Sequence, residues 1–139
     1  MYTIKHLFHI NKSRDYVFAA ISTIEGLSRW WTKTTSGDTS AGGLIQFLFG
    51  PQIGFQMKVL ESTPGTLVKW ECIIGPPDWI GNVLTFQLDE NDNKTRVRFS
   101  HDGWKEANDL YSAVTFTWGR YLESLRQCCE TGKGEQFAY

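Results

Sequence analysis

An α+β fold, in which a curved antiparallel sheet of about six strands wraps around one long C-terminal helix, is predicted by two changes in hydrophobic period along the chain. After a first strand and two short helices, apolar and polar residues alternate through most of the stretch from Gly43 to His101, the period of strands with one buried face. From Leu110 onward apolar residues recur every three or four positions, the period of a helix that lays one stripe on such a sheet.

The elements follow in order. "YTIKHLFHI" places Ile4, His6, Phe8 and Ile10 on one side of a first strand. Ser13 is an N-cap candidate for a short helix carrying Val17, Ala20 and Ile21, and a second short helix runs through "EGLSRWW". The polar, glycine-rich "TKTTSGDTSAGG" stops it. Ile45, Phe47 and Phe49 then point one way, followed after the "GPQIG" turn by Phe55, Met57 and Val59, and after "STPGT" by Val68, Trp70, Cys72 and Ile74. "GPPDWIG" is a loop, because paired prolines donate nothing to a sheet ladder. Leu84, Phe86 and Leu88 resume the alternation, "ENDN" turns the chain, and Val97, Phe99 and His101 close the series. Connections this short exclude crossover helices, so the strands are antiparallel. The final helix, Asp109 to Thr131, reaches about 35 Å at 1.5 Å per residue and is stopped by Gly132 and Gly134. Its stripe is Leu110, Val114, Thr117, Tyr121, Leu125 and Cys128, widened by Tyr111, Trp118, Leu122 and Cys129; "EQFAY" carries no assignment.

Composition narrows the function classes. The chain of 139 residues fits one domain over residues 1–139, and its net charge of −1 offers no general attraction to nucleic acid or anionic lipid. Lys94, Arg96 and Arg98 share one face of a strand and read as solvated sheet surface rather than a phosphate stripe. No apolar run approaches the ~20 residues of a membrane span, and the first residues lack the pattern of a signal peptide. Three cysteines, two of them adjacent, suit a reducing cytoplasm and form neither a disulfide framework nor a metal-ligand pattern. Neither "SAGGL" nor "GKGEQ" has the strand-to-helix context of a nucleotide loop, so no cofactor is expected, and no metal site.

Taken in this order, "TIEGLSRWW" after a first strand, "KTRVRFSHDGW" as last strand and turn, and the closing "TFTWGRYLESLRQCCETGKG" resemble the helix-grip fold of the START-like or SRPBCC (Bet v 1-like) superfamily. The similar branch is that of activator of heat-shock-protein ATPase homologue-like proteins, and the resemblance spans nearly the whole chain. It implies a cavity for a hydrophobic or aromatic small molecule between sheet and long helix. It also implies paired aromatics, here Trp30 and Trp31, at the mouth of that cavity. Residue pattern alone does not decide which of the two faces inward.

The candidate ligand-binding residues are Trp30 and Trp31, the inward sheet residues Phe47, Phe55, Trp70, Phe86 and Phe99, the helix residues Val114, Trp118 and Tyr121, and His101. Composition by itself favours ordinary core packing for the aromatics; the resemblance favours a lined cavity. His101, Tyr121 and Tyr111 are the candidates for polar contacts. "HDGW" is the stretch most like chemistry, since a histidine followed by an aspartate suggests a general base with its orienting group. Adjacent strand residues point to opposite faces, however, which makes His101 a structural, hydrogen-bonded histidine and only a weak catalytic candidate. Cys72 lies mid-strand among apolar neighbours and there is no G-x-S-x-G elbow, so no nucleophile is indicated. Binding of a small molecule is thus the first expectation. A cyclase or hydratase using His101, and a chaperone-associated protein acting through its surface, are the alternatives.

Overall fold

The computed structural model describes residues 1–51 and 54–138. Gln52 and Ile53, within the expected "GPQIG" turn, lie outside the described residues, as does Tyr139. β1 (Tyr2–Ile10) leads into α1 (Arg14–Ser22) and α2 (Ile24–Trp30), then β2 (Thr34–Gly37), β3 (Leu44–Leu48), β4 (Gly54–Thr63), β5 (Leu67–Ile74), β6 (Val83–Asn91), β7 (Lys94–Trp104) and α3 (Asp109–Thr131). A short 3-10 turn, Pro77–Trp79, interrupts the β5–β6 loop.

The strands form one antiparallel sheet in the order β1-β7-β6-β5-β4-β3-β2. The first strand therefore lies beside the last, with Ile4 opposite His101 and His6 opposite Phe99. The sheet has seven strands rather than about six. The additional one, β2, consists of Thr34, Thr35, Ser36 and Gly37 at the sheet's edge. It has no apolar alternation because an edge strand of three hydroxyl residues and a glycine contributes backbone pairing, not core. Ile74, expected to point inward, is 55% exposed. The register of β4 against β5 shifts between Gln56 and Met57, opposite Ile74 and Cys72, and the shift breaks the alternation at that end of β5.

Local chemistry accounts for the turns and caps. Ser13 Oγ accepts from the Tyr16 amide at the start of α1, and Thr23 Oγ1 accepts from Gly26 at the start of α2. Asp92 and Asn93 both take positive φ, 55° and 61°, in the tight β6–β7 hairpin, a backbone that these two residue types tolerate. On the outer face, Asp89 accepts from Arg96 at 2.9 and 2.7 Å and from Arg98 at 3.1 Å. The Arg96 guanidinium holds the Asp89 carboxyl well below the usual carboxylate range, and two of the three basic residues on that strand face are thereby paired.

The core sits between the sheet's inner face and the helices. Trp30, Trp70, Phe47, Phe86 and Phe99 are fully buried there. α3 packs unevenly. From Leu122 onward it buries Leu122, Ser124, Leu125, Cys128 and Cys129, whereas in its first half Trp118 alone is buried. Leu110 is 39% exposed and Thr117 is exposed, although both fall on the apolar stripe. The stripe continues past the point where the core ends. No helix is long and apolar enough to cross a membrane among the described residues.

Candidate ligand-binding cavity

Between the first half of α3 and the sheet lies a cavity of about 440 Å³. Leu110, Ala113, Val114, Thr117, Trp118 and Tyr121 form its helical wall. Trp31, Phe49 and Phe55 line it from the other side, together with Pro76, Trp79 and Phe137. None of these residues is charged, and most are aromatic.

The two tryptophans lie side by side but have different neighbours. Trp30, the last residue of α2, is fully buried and donates its indole N–H to the Ala20 carbonyl at 2.9 Å, with Phe86 edge-on at 6.1 Å. Trp31 is the C-cap, where the chain leaves the helix, and it turns to the cavity side. Its ring centroid lies 4.3 Å from Phe47, 5.1 Å from Trp118 and 5.5 Å from Phe49. Both are buried, and the two indoles stack on each other with ring centroids 6.1 Å apart.

Of the residues the sequence singles out, Trp31, Phe55, Val114, Trp118 and Tyr121 line the cavity together. Trp30, Phe47, Trp70, Phe86, Phe99 and His101 do not; they form the packed core behind it. Phe47 and Trp70 touch the Trp31 ring from behind, which places them one layer away from the cavity. Tyr121 brings the wall a hydroxyl, its phenol pKa raised by burial. Tyr111, the other phenol considered, donates to the Thr3 carbonyl at 3.2 Å and ties α3 to β1.

His101 is fully buried and held on both sides. Trp118 Nε1 donates to its Nδ1 at 3.2 Å, and Asn82 Nδ2 lies 3.1 Å from its Nε2 while also donating to the Asp78 carbonyl at 3.0 Å. Trp79 stands edge-on at 4.5 Å. Because Nδ1 accepts from Trp118, an imidazolium, which donates from both ring nitrogens, loses that contact. Burial lowers the His101 pKa to about 4, against a weaker opposing pull from the Asp102 charge. At neutral pH the ring is uncharged, and Trp79 and Trp118, which it braces, present their other sides to the cavity. His6, on the same sheet face, sits 6.4 Å from the Phe99 ring rather than beside His101.

Phe49, Trp79 and Phe137 were not among the sequence's site candidates. Trp79 lies in the proline loop, where a buried tryptophan has no period to announce it. Phe49 follows the end of β3, and Phe137 falls in the unassigned "EQFAY".

A sheet that curls over one long helix, two short helices after the first strand and an aromatic cavity between sheet and helix define a helix-grip protein of the START-like (SRPBCC) superfamily. The family model described as Activator of Hsp90 ATPase homolog 1-like protein matches residues 11–130, and the chain belongs to that family. The solution structure of the Aha1 dimer from Colwellia psychrerythraea is similar at a TM-score of 0.87 and 35% identity, over 96% of this chain and 100% of that one. A protein from Staphylococcus saprophyticus shares the fold at a TM-score of 0.81 and 16% identity, over 99% of this chain and 98% of its own. CalU16 from Micromonospora echinospora shares it at 0.75 and 18%, over 90% and 72%. No curated protein matches.

Proposed function

We propose that the protein binds a neutral, largely aromatic small molecule in the cavity beneath the first half of α3. The observation that carries this reading is the wall: about 440 Å³ bounded by aromatic and aliphatic side chains, without a charged group among the lining residues. Burying an ionised ligand there would leave its charge unpaired, at a cost that selects against it. The Tyr121 hydroxyl supplies a polar contact that orients the ligand, and Trp31, Phe55 and Trp118 supply contact area. His101 acts on the shape of this wall, behind Trp118, instead of on the ligand. A cyclase or hydratase would need that imidazole in the cavity and titrating near neutral pH. Three buried free thiols fit a reducing compartment such as the cytoplasm.

A panel of flavonoids, polyketides, steroids and fatty acids screened by thermal unfolding tests the proposal. A ligand at 100 times its Kd stabilises the folded state by about 2.7 kcal/mol, which raises Tm by roughly 5 to 15 °C. Hits should come from the neutral aromatic classes and shift tryptophan emission, since Trp31, Trp79 and Trp118 line the wall. A broad panel that moves neither Tm nor emission sinks the reading.

A second reading, action on a chaperone through the outer surface, draws support from the 35% identity to a protein described as an Aha1 dimer. Stimulation of an Hsp90-type ATPase by this chain, unaffected by filling the cavity, would favour it.

A further inference from the structure

We infer that residues 133–138 form a strap that opens and closes the cavity, with Phe137 as the side chain that sets how long a ligand stays; this rests on the binding reading above. α3 ends at Gly132, whose φ of 84° reverses the chain while its amide caps the Cys128 carbonyl at 2.9 Å. The strap then runs close against the helices. A Cβ on Gly134 would lie 2.8 Å from Ser124 Oγ and 2.9 Å from the Arg29 carbonyl oxygen, distances that only glycine avoids.

Ser124, 2% exposed, is the inner clasp. Its hydroxyl donates to the Trp30 carbonyl at 2.8 Å and accepts the Glu135 amide at 2.7 Å, joining α2, α3 and the strap at one buried atom. The outer clasp is a pair of backbone bonds. The Phe137 amide donates to the Trp31 carbonyl at 2.9 Å, and the Lys33 amide donates to the Phe137 carbonyl at 2.8 Å. These bonds set the Phe137 ring into the cavity wall, 5.4 Å from Phe49.

The strap differs from the rest of the wall in what anchors it. Every residue from 133 to 138 is exposed or half-buried, whereas the α3 turns just before it bury Leu122, Leu125, Cys128 and Cys129. A segment that buries so little surface opens well before the domain unfolds. Its clasp is made to the backbone of Trp31, whose ring also lines the cavity, so a ligand touching Trp31 and Phe137 together favours the closed strap.

Hydrogen exchange and probe release test this on the full chain. In the ligand-free protein the Lys33 and Phe137 amides should exchange at least about 100-fold faster than the amides of β7, which lies between two paired strands. With the neutral fluorophore N-phenyl-1-naphthylamine preloaded and then drawn off by excess cyclodextrin, Phe137→Ala should release it about tenfold faster than wild type, and Phe137→Leu by an intermediate factor. Ser124→Ala, which loosens the inner clasp without touching the cavity wall, should speed both exchange at Phe137 and release. Strap amides as slow as those of β7, or release from Phe137→Ala within about twofold of wild type, overturn the gate. A wild-type protein that takes up no probe instead overturns the binding reading and, with it, the residence role of Phe137, while the exchange comparison still decides whether the strap opens.

Discussion

His101 and Asp102, neighbours in sequence, face opposite sides of the sheet. His101 points inward to Trp118, while Asp102 points outward and accepts the Thr3 hydroxyl at 2.7 Å and the Ser100 hydroxyl at 3.3 Å. The carboxylate that would make the imidazole a base is occupied elsewhere, and burial dominates the histidine's titration.

The first prediction is a pH dependence. The folded pKa of about 4 lies below the unfolded value near 6.5, so the unfolded chain takes up the proton first as pH falls. The stability that depends on neutral His101 is complete above pH ~6.5 and is lost progressively down to pH ~4, by on the order of 3 kcal/mol. Urea unfolding of wild type and His101→Asn across that window measures it. The variant should show a flatter profile by that amount, and identical slopes would remove this account.

Gly103 tests the same knot from the backbone. Its φ is 108°, and a Cβ there would meet Asn82 Oδ1 at 2.7 Å. Gly103→Ala should therefore cost about 1–3 kcal/mol from backbone strain alone, with a further loss from displacing Asn82 off His101. Chemical denaturation gives the number; a change below ~0.5 kcal/mol would contradict the geometry, since that is the size of an ordinary surface substitution.

Filling the cavity separates a lined wall from a packed core. Val114 is half-buried and borders open volume, so Val114→Phe should leave Tm unchanged or raise it. Binding of any hit should weaken by about tenfold or more, roughly 1.4 kcal/mol. Destabilisation by the 1–3 kcal/mol typical of overpacking would instead mean that the space is not there.

The cysteines should be inert in the native state. Burial pushes the Cys72 thiol up to about 11 and the Cys129 thiol up to about 12, and both side chains are inaccessible. A thiol reagent at pH ~8 should label them only after denaturation, read by mass. Rapid labelling of Cys129 in the folded protein would show that the end of α3 is not packed as described.

Much of this architecture is local information. The alternation of Val97, Phe99 and His101, the positive-φ pair Asp92 and Asn93, the Ser13 cap and the Leu110-to-Cys129 stripe each follow from the period or conformational preference of a few consecutive residues. They are legible in the sequence for that reason. Which apolar positions are core and which are cavity is a different kind of fact. Phe47 and Phe55 belong to equivalent patterns, yet one lies behind the Trp31 ring and the other in front of it. The α3 stripe likewise reads the same at Val114 and Leu125, although Leu125 is fully buried and Val114 only half-buried. The difference arises from the distance between α3 and distant strands, set by the bulk of Trp118, the 3-10 turn at Trp79 and the chain reversal that brings Phe137 back to Trp31. No window of neighbouring residues contains that distance, so only the tertiary structure decided where packing stops and the cavity begins.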